Sequence, residues 1–431
     1  MIYSIDIMVY SVYLHIPFCK QRCSYCDFNT YAGMESLIPE YVDVLCSEIQ
    51  FLSDSTDERL PVHTVYFGGG TPSLLSINQV EQIFKTLDSC FGIQPDFEAT
   101  LEANPGTVSR DRLRELHSLG VNRLSLGMQS ANPRELTLLE RIHDHTELIQ
   151  SVKWAREAGF CNLNLDLIFG LPEQSLKSWK RNLNLALDLN PEHLSLYALT
   201  LEEGTTLERW VRRGLISELN ADLAADMYEW AGEKLEKSGY AQYEISNWGR
   251  KLEEVSDFSL ASEGLLACRH NLQYWRNLPY LGFGAGAHGY AGKMRTANVI
   301  SPIDYIQRIS AFRQQSSAYS RQPAATQHRP KENNGQITRF PVTPATQEAH
   351  PIDIATEIGE TMMMGLRLTR EGVSQKAFYR RFRQAIKNVY GTQVERLTSM
   401  GLLEWAGKNQ DILRLTSKGR FLGNRVFMEF L

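Results

Sequence analysis

The residue pattern with the clearest chemical potential lies near the start of the sequence. HIPFCKQRCSYCDF carries Cys19, Cys23 and Cys26 in a C-x3-C-x2-C spacing. Three thiolates on one short loop can hold three irons of a cubane cluster and leave the fourth iron without a protein ligand. A structural zinc site wants four ligands in a closed tetrahedron, and no matching pair of cysteines or histidines follows. A disulfide would leave one thiol over. Three of the seven cysteines crowd into residues 19–26, which suits a reducing compartment and a metal better than a disulfide framework. Cys46, Cys90, Cys161 and Cys268 are scattered and read as small buried hydrophobes.

A second pattern is FGGGTP at 67–72. Glycines let a ligand approach the backbone closely and free N–H groups to bind it. The run lacks the Gly-Lys-Ser/Thr of a phosphate loop, so triphosphate binding is not expected. Alone, it is equally well a tight turn.

Loops of this kind need a scaffold. The 431 residues exceed one ordinary domain and suggest a large α/β unit with appendages. With 45 Lys plus Arg against 50 Asp plus Glu, the formal charge of -5 argues against a dedicated nucleic-acid binder. No apolar run approaches the roughly 18 residues of a transmembrane helix. MIYSIDIMVY has neither a basic n-region nor a cleavage site, so the chain is expected to be mature and cytoplasmic.

Short β-rich runs at 9–16, 62–67, 97–103, 123–128, 162–169 and 193–199 alternate with amphipathic helical stretches. Such repetition means parallel βα units. Side chains alternate between sheet faces, and these strands set polar residues against apolar ones. Leu163, Leu165 and Leu167 alternate with Asn162, Asn164 and Asp166; Thr100, Glu102 and Asn104 oppose Ala99, Leu101 and Ala103. A doubly wound sheet, covered on both faces, reads apolar throughout. The expected fold is therefore α/β, a partial (β/α)6 barrel open on one side with a wet, ligand-holding interior.

Beyond it, 218–238 reads as a helix, GYAQYEISNW as a strand and 249–266 as a loop. The stretch 314–351 is rich in Ser, Thr, Pro and Gln and poor in large apolar residues, so a disordered or loose insertion is expected. In the tail, two helical stretches precede a β-hairpin and a last helix, a winged-helix-like order. Its excess of basic residues reads as a solvated face rather than a DNA-binding surface. The expected domains are 1–250, the barrel; 251–313, a segment with the motifs HNLQYW and YLGFGAGAHGY; 314–351, the insertion; and 352–431, the C-terminal domain.

The cysteine loop resembles that of radical S-adenosylmethionine (SAM) enzymes, in which SAM's amino and carboxylate groups chelate the open iron. VYLHIPFC, VYFGGGTPSLL, EANPGT, LSLGMQS, LDLIFGLP and YEISN extend the resemblance to the coproporphyrinogen III oxidase group. The resemblance implies a radical SAM partial barrel with a [4Fe-4S] cluster on Cys19, Cys23 and Cys26. It also implies SAM contacts from Tyr13, Gly69, Gly70, Thr71, Glu102, Gln129, Arg141 and Asp166. Glu102, Gln129 and Asp166 fall on the polar barrel face by strand alternation alone.

Two functions share this scaffold: the oxygen-independent coproporphyrinogen III oxidase, a radical decarboxylase of haem biosynthesis, and the HemW-type haem chaperones. The oxidase pattern has a fourth cysteine where this sequence has Phe28, and a longer N-terminal extension than the few residues before the first strand here. HNLQYW at 270–275 is similar to the His-Asn-x-x-Tyr-Trp motif of the chaperones. His270 offers an imidazole as axial iron ligand, and Tyr274 and Trp275 offer flat faces to a porphyrin. A histidine among aromatics is, however, usually a satisfied core residue. His288 is a weaker candidate in its glycine-rich turn, and nothing demands a role for Cys268. The chaperone reading is favoured, without oxidase activity. It brings haem as a further cofactor and haem-accepting apoproteins, with respiratory enzymes as candidates, as partners; neither nucleic acid nor a membrane span is expected.

Overall fold

A computed structural model describes residues 8–56, 58–252, 264–320 and 340–431. Packing, rather than chain order, defines two compact units. One is built from Met1–Leu124, Trp154–Phe160 and Pro279–Pro351, the other from Ser125–Lys153, Cys161–Leu278 and Ile352–Leu431.

In the first unit, strands β1 (Tyr10–Ile16), β2 (Pro61–Gly69) and β3 (Gly92–Ala103) pair in parallel, β1 with β2 and β2 with β3. Their apolar faces, Val12, Leu14 and Ile16 together with Val65, Phe67, Ala99 and Leu101, are at most 1% exposed. Helices Ile38–Asp54 and Ile77–Cys90 connect them. The second starts at a reciprocal capping box between Ser76 and Gln79 and buries Val80, Ile83 and Leu87, one stripe at helical spacing. Each such apolar side chain contributes roughly 1.5–3 kcal/mol by leaving water.

On the free side of β1 the sheet continues. Tyr280–Phe283 pairs with it in parallel, followed by antiparallel His288–Ala291, Met294–Asn298 and Thr346–Pro351. The glycine-rich segment is thus strand, turn and strand rather than a turn alone. Four-residue strands containing glycine are too short to show a period of two. Gly282 is required sterically, because a Cβ there would collide with the carbonyl oxygen of His288.

Part of the stretch expected to be loose is ordered. Helix Pro302–Ser320 runs into it, and Thr346–Pro351 is a sheet strand. Its anchor is a buried carboxylate: Glu48 accepts hydrogen bonds from the Gly284 N–H, Asn298 Nδ2, the Tyr305 hydroxyl and the Thr343 hydroxyl at 2.6–2.9 Å. Composition could not reveal a partner roughly 300 residues upstream. Residues 321–339 of the insertion, and 253–263 of the expected loop, lie outside the described residues.

In the second unit, β4 (Arg123–Gln129), β5 (Leu163–Phe169) and β6 (His193–Ala198) are successive neighbours, β5 and β6 being parallel. GYAQYEISNW is a hairpin of Tyr240–Glu244 and Asn247–Arg250, not one strand, and its second arm pairs antiparallel with β6. The polar face is also not simply wet. Asn164 donates to Ser125 Oγ at 2.7 Å and to Asp166 Oδ1 at 2.8 Å, and its Oδ1 lies 2.6 Å from His193 Nδ1. His193 Nε2 in turn meets the Tyr243 hydroxyl at 2.9 Å. Buried polar groups must be paired, and here they pair with one another across the strands.

The tail has three helices, not two, before its hairpin. Helices Ile354–Gly365, Gln375–Phe382 and Ile386–Ser399 precede the hairpin Leu403–Ala406 and Ile412–Leu415, which Val373–Ser374 extends to three strands. Met362, Leu366, Ile386, Leu413, Leu415 and Val426 form the fully buried centre of its own core.

Candidate functional site

In the first unit, the expected residues converge at the C-terminal ends of β1, β2 and β3, where barrel folds carry their sites. Gly69 has φ +111°, a conformation that favours glycine, and a Cβ there would meet the His15 ring at 2.6 Å. A Cβ on Gly70 would lie 2.6 Å from Phe18 O and 3.0 Å from Cys19 Sγ. The GGG run is therefore the form that lets β2 pass against the cysteine strand. Its amides are used: Gly70 N–H donates to Ile16 O and Thr71 N–H to Phe18 O, both at 2.8 Å.

Glu102 accepts from the Tyr66 hydroxyl at 2.8 Å and from the Gly69 N–H at 3.2 Å. Tyr13 stacks on Tyr66 and its hydroxyl lies 3.0 Å from His15 Nδ1. Burial raises the Tyr13 hydroxyl pKa, and the nearby Glu102 charge adds to that. Tyr13 is therefore a neutral donor, while Glu102 is a negative group at a glycine-rich backbone, suited to an amine or to ribose hydroxyls.

Cys19 ends a two-residue strand, Phe18–Cys19, paired with Tyr31–Ala32, and this ribbon closes the loop holding all three cysteines. None of the seven cysteines is in a disulfide. Thr71 donates to Cys19 Sγ at 3.5 Å, Asn104 Nδ2 supports Thr71 Oγ1 at 3.0 Å, and Cys26 Sγ lies 3.7 Å from Thr30 Oγ1. Burial raises the Cys26 thiol pKa, so a metal would have to replace a held proton. Among the described residues, no three His, Cys, Asp or Glu side chains are gathered closely enough to hold a metal ion. The donor chemistry nevertheless fits an iron–sulfur cluster: three thiols on one closed loop, beside a glycine that leaves room at Cys19. Cys19, Cys23 and Cys26 would hold it, and with SAM it would supply one-electron radical chemistry.

The other expected SAM residues lie in the second unit. Gln129, the last residue of β4, is 9% exposed and has φ +59°, strained for a residue with a side chain, as at many ligand sites. Arg141 Nη2 donates to Gly127 O at 2.9 Å, and Asp166 accepts from the Ser125 hydroxyl at 3.0 Å.

HNLQYW lies in the short helix Arg269–Trp275. His270 is 1% exposed, and its Nε2 meets the Tyr274 hydroxyl 2.8 Å away, one helical turn on. The Trp275 face is covered by the Arg367 guanidinium at 4.3 Å. Arg276 pairs with Glu371 through two nitrogens, and Arg381 caps the carbonyls of Arg276 and Asn277. The imidazole is thus engaged by Tyr274 of its own helix, and one Trp275 face by Arg367. In this fold His270 is not presented at the surface.

Comparison with known proteins agrees with this scaffold. The Radical SAM superfamily model matches residues 13–186, and the HemN C-terminal domain matches residues 353–422. A Bacillus subtilis protein named "Heme chaperone HemW" is 34% identical over 98% of this chain and 99% of its own length. The chain belongs to the HemW family of radical SAM proteins. A HemW relative from Synechocystis is 40% identical over 68% of this chain and 70% of its own. Among solved structures, the coproporphyrinogen III oxidase HemN of Escherichia coli matches with TM-score 0.77 at 22% identity, over 98% of this chain and 90% of that one. That likeness speaks for the fold, a radical SAM α/β fold with a HemN-type C-terminal domain. Membership in the family implies SAM and a [4Fe-4S] cluster. No described helix is long and apolar enough to cross a membrane.

Three residues of this HemW-family chain escaped the sequence reading. His15 packs on Gly69, meets Tyr13, and lies with Nε2 2.9 Å from Asn29 O. Asn104 and Tyr66 support Thr71 and Glu102. Alternation along β1 places Ser11, Tyr13 and His15 on one face, so His15 had a signal. Asn104 stood in a quoted motif without an assigned role.

Proposed function

We propose that this protein is a haem chaperone that binds haem, carries a [4Fe-4S] cluster with SAM, and delivers haem to acceptor apoproteins. The observation that carries this reading is the end-to-end similarity to proteins named haem chaperones. Phe28, 64% exposed where the oxidase pattern has its fourth cysteine, supports it. Cys19, Cys23 and Cys26 hold the cluster. Tyr13, Gly69, Gly70, Thr71, Glu102, Gln129, Arg141 and Asp166 are the residues assigned to SAM. The reading keeps 1–250 as the radical SAM partial barrel with the cluster and SAM sites, 251–313 as the haem-motif and glycine-rich segment, and 352–431 as the winged-helix-like C-terminal domain. Seven cysteines without a disulfide favour a reducing, cytoplasmic setting.

The test is anaerobic reconstitution of the cluster, after which one preparation is offered ferric haem, or coproporphyrinogen III with SAM and reductant. The chaperone reading expects stoichiometric haem uptake and no decarboxylated product. Vinyl products without haem uptake would establish the oxidase instead.

A further inference from the structure

The buried His270 leaves open which side chain ligates haem, and the first unit offers another. A cavity of about 450 Å³ lies between the stretch following Cys26, the glycine-rich hairpin and the edge strand Thr346–Pro351. That volume is within the roughly 300–1,000 Å³ typical of cofactor sites. His288, the first residue of its strand, is exposed and lines this cavity. So do Phe28 and Ile300, 64% and 60% exposed, and the ring of Tyr31. Two large apolar side chains lie open here beside an exposed imidazole, a combination that suits a flat, apolar, metal-bearing ligand.

The walls are held in place. Asn29 Nδ2 donates to Ala285 O and to Ile300 O, both at 3.0 Å, which ties the post-cysteine stretch to both sides of the hairpin. Gly286 has φ +75°, and a Cβ there would collide with Asn29 Nδ2, so this close approach requires glycine. Glu48 fixes the hairpin from beneath through the Gly284 N–H and Asn298. His288 is thereby presented on a preorganised backbone.

The charges bear on the ligand's orientation. Arg22 lines the cavity and spends one donor on Cys26 O at 3.1 Å, leaving others for a carboxylate. Asp27 and Glu348 line it too and would repel carboxylates. Haem propionates would be directed toward Arg22, and Glu348 already faces His350 at 3.5 Å.

Resting on the haem-chaperone reading, we propose that His288 is the axial haem ligand, with the porphyrin against Phe28 and Ile300, and that His270 is a packing residue. The experiment titrates ferric haem into the cluster-loaded chain and follows haem-minus-apo difference spectra and low-temperature EPR. The wild type should bind one haem with nitrogen ligation. H288A should lose that signature and bind at least about tenfold more weakly, and added imidazole should restore the Soret band. I300E should weaken binding without changing the ligation signature, and H270Q should keep it. An H288A variant with unchanged affinity and spectrum overturns the assignment and leaves the chaperone reading standing. A wild type that takes up no haem overturns both.

Discussion

Replacing Gly70 with alanine tests how the glycine run positions the cysteine loop. The new Cβ would sit 2.6 Å from Phe18 O and 3.0 Å from both Ile16 O and Cys19 Sγ, while ordinary contacts begin near 3.4 Å. Two of those neighbours are backbone, so no side chain can swing aside. The cysteine strand must move by most of an ångström. Overpacking of this kind costs about 1–3 kcal/mol. The displacement also strains the Gly70 N–H to Ile16 O and Thr71 N–H to Phe18 O hydrogen bonds, each contributing roughly 0.5–1.5 kcal/mol. The expected loss is about 2–4 kcal/mol, with Cys19 displaced from Thr71. Urea unfolding should show an earlier midpoint, and anaerobic reconstitution should yield less iron per chain. Gly232 is the control: it lies in helix Ala221–Lys237 with nothing within 4 Å of an added Cβ, so alanine there should stabilise by roughly 0.5–1 kcal/mol. A Gly70→Ala protein with wild-type midpoint and iron content would refute the steric argument.

Alanine at Cys19, Cys23 or Cys26 should abolish the brown chromophore and the reduced-state EPR signal; a triple variant that still reconstitutes would remove the loop as cluster site. Glu102→Ala should weaken SAM binding in an anaerobic titration while iron content stays intact, since Glu102 bonds Tyr66 and Gly69 rather than a cysteine. His143 supplies a pH dependence. Burial first, and the Arg141 charge second, lower its pKa to about 4 from an ordinary value of 6.5. A lowered folded-state pKa gives stability that is present above 6.5 and lost as pH falls toward 4. That loss amounts to about 3 kcal/mol. Urea midpoints from pH 7 to 4 should fall more steeply for the wild type than for His143→Gln, and parallel slopes would contradict the assignment.

The six strands β1 to β6 were legible because their alternation is a local property, repeated over six or more residues, and their ends fell within a few residues of the expectation. The elements that escaped are short or conditional. Tyr280–Phe283 and His288–Ala291 contain glycine and span only four residues each. Thr346–Pro351 has no apolar alternation and is a strand because Met294–Asn298 offers it an edge. In the site, Glu102 and Asp166 were legible from the face they occupy. Tyr66 and Asn104 gained their roles only when β2 and β3 came together.

What the sequence determined by itself is the local chemistry: the spacing of Cys19, Cys23 and Cys26, the glycines that follow β2, and the polar face of the strands. Spacing and alternation survive any tertiary arrangement, since they follow from covalent reach and backbone geometry. Only the tertiary structure decided which histidine faces solvent. His270 stands in the more suggestive motif, yet it is 1% exposed and meets Tyr274, while Arg367, Glu371 and Arg381, roughly a hundred residues downstream, hold the neighbouring Trp275, Arg276 and Asn277. His288 stands in a run that reads as a mere turn, yet strand pairing with Met294–Asn298 holds it at an open cavity. Exposure is set by what packs against a residue from elsewhere in the chain, and a local pattern carries no record of that.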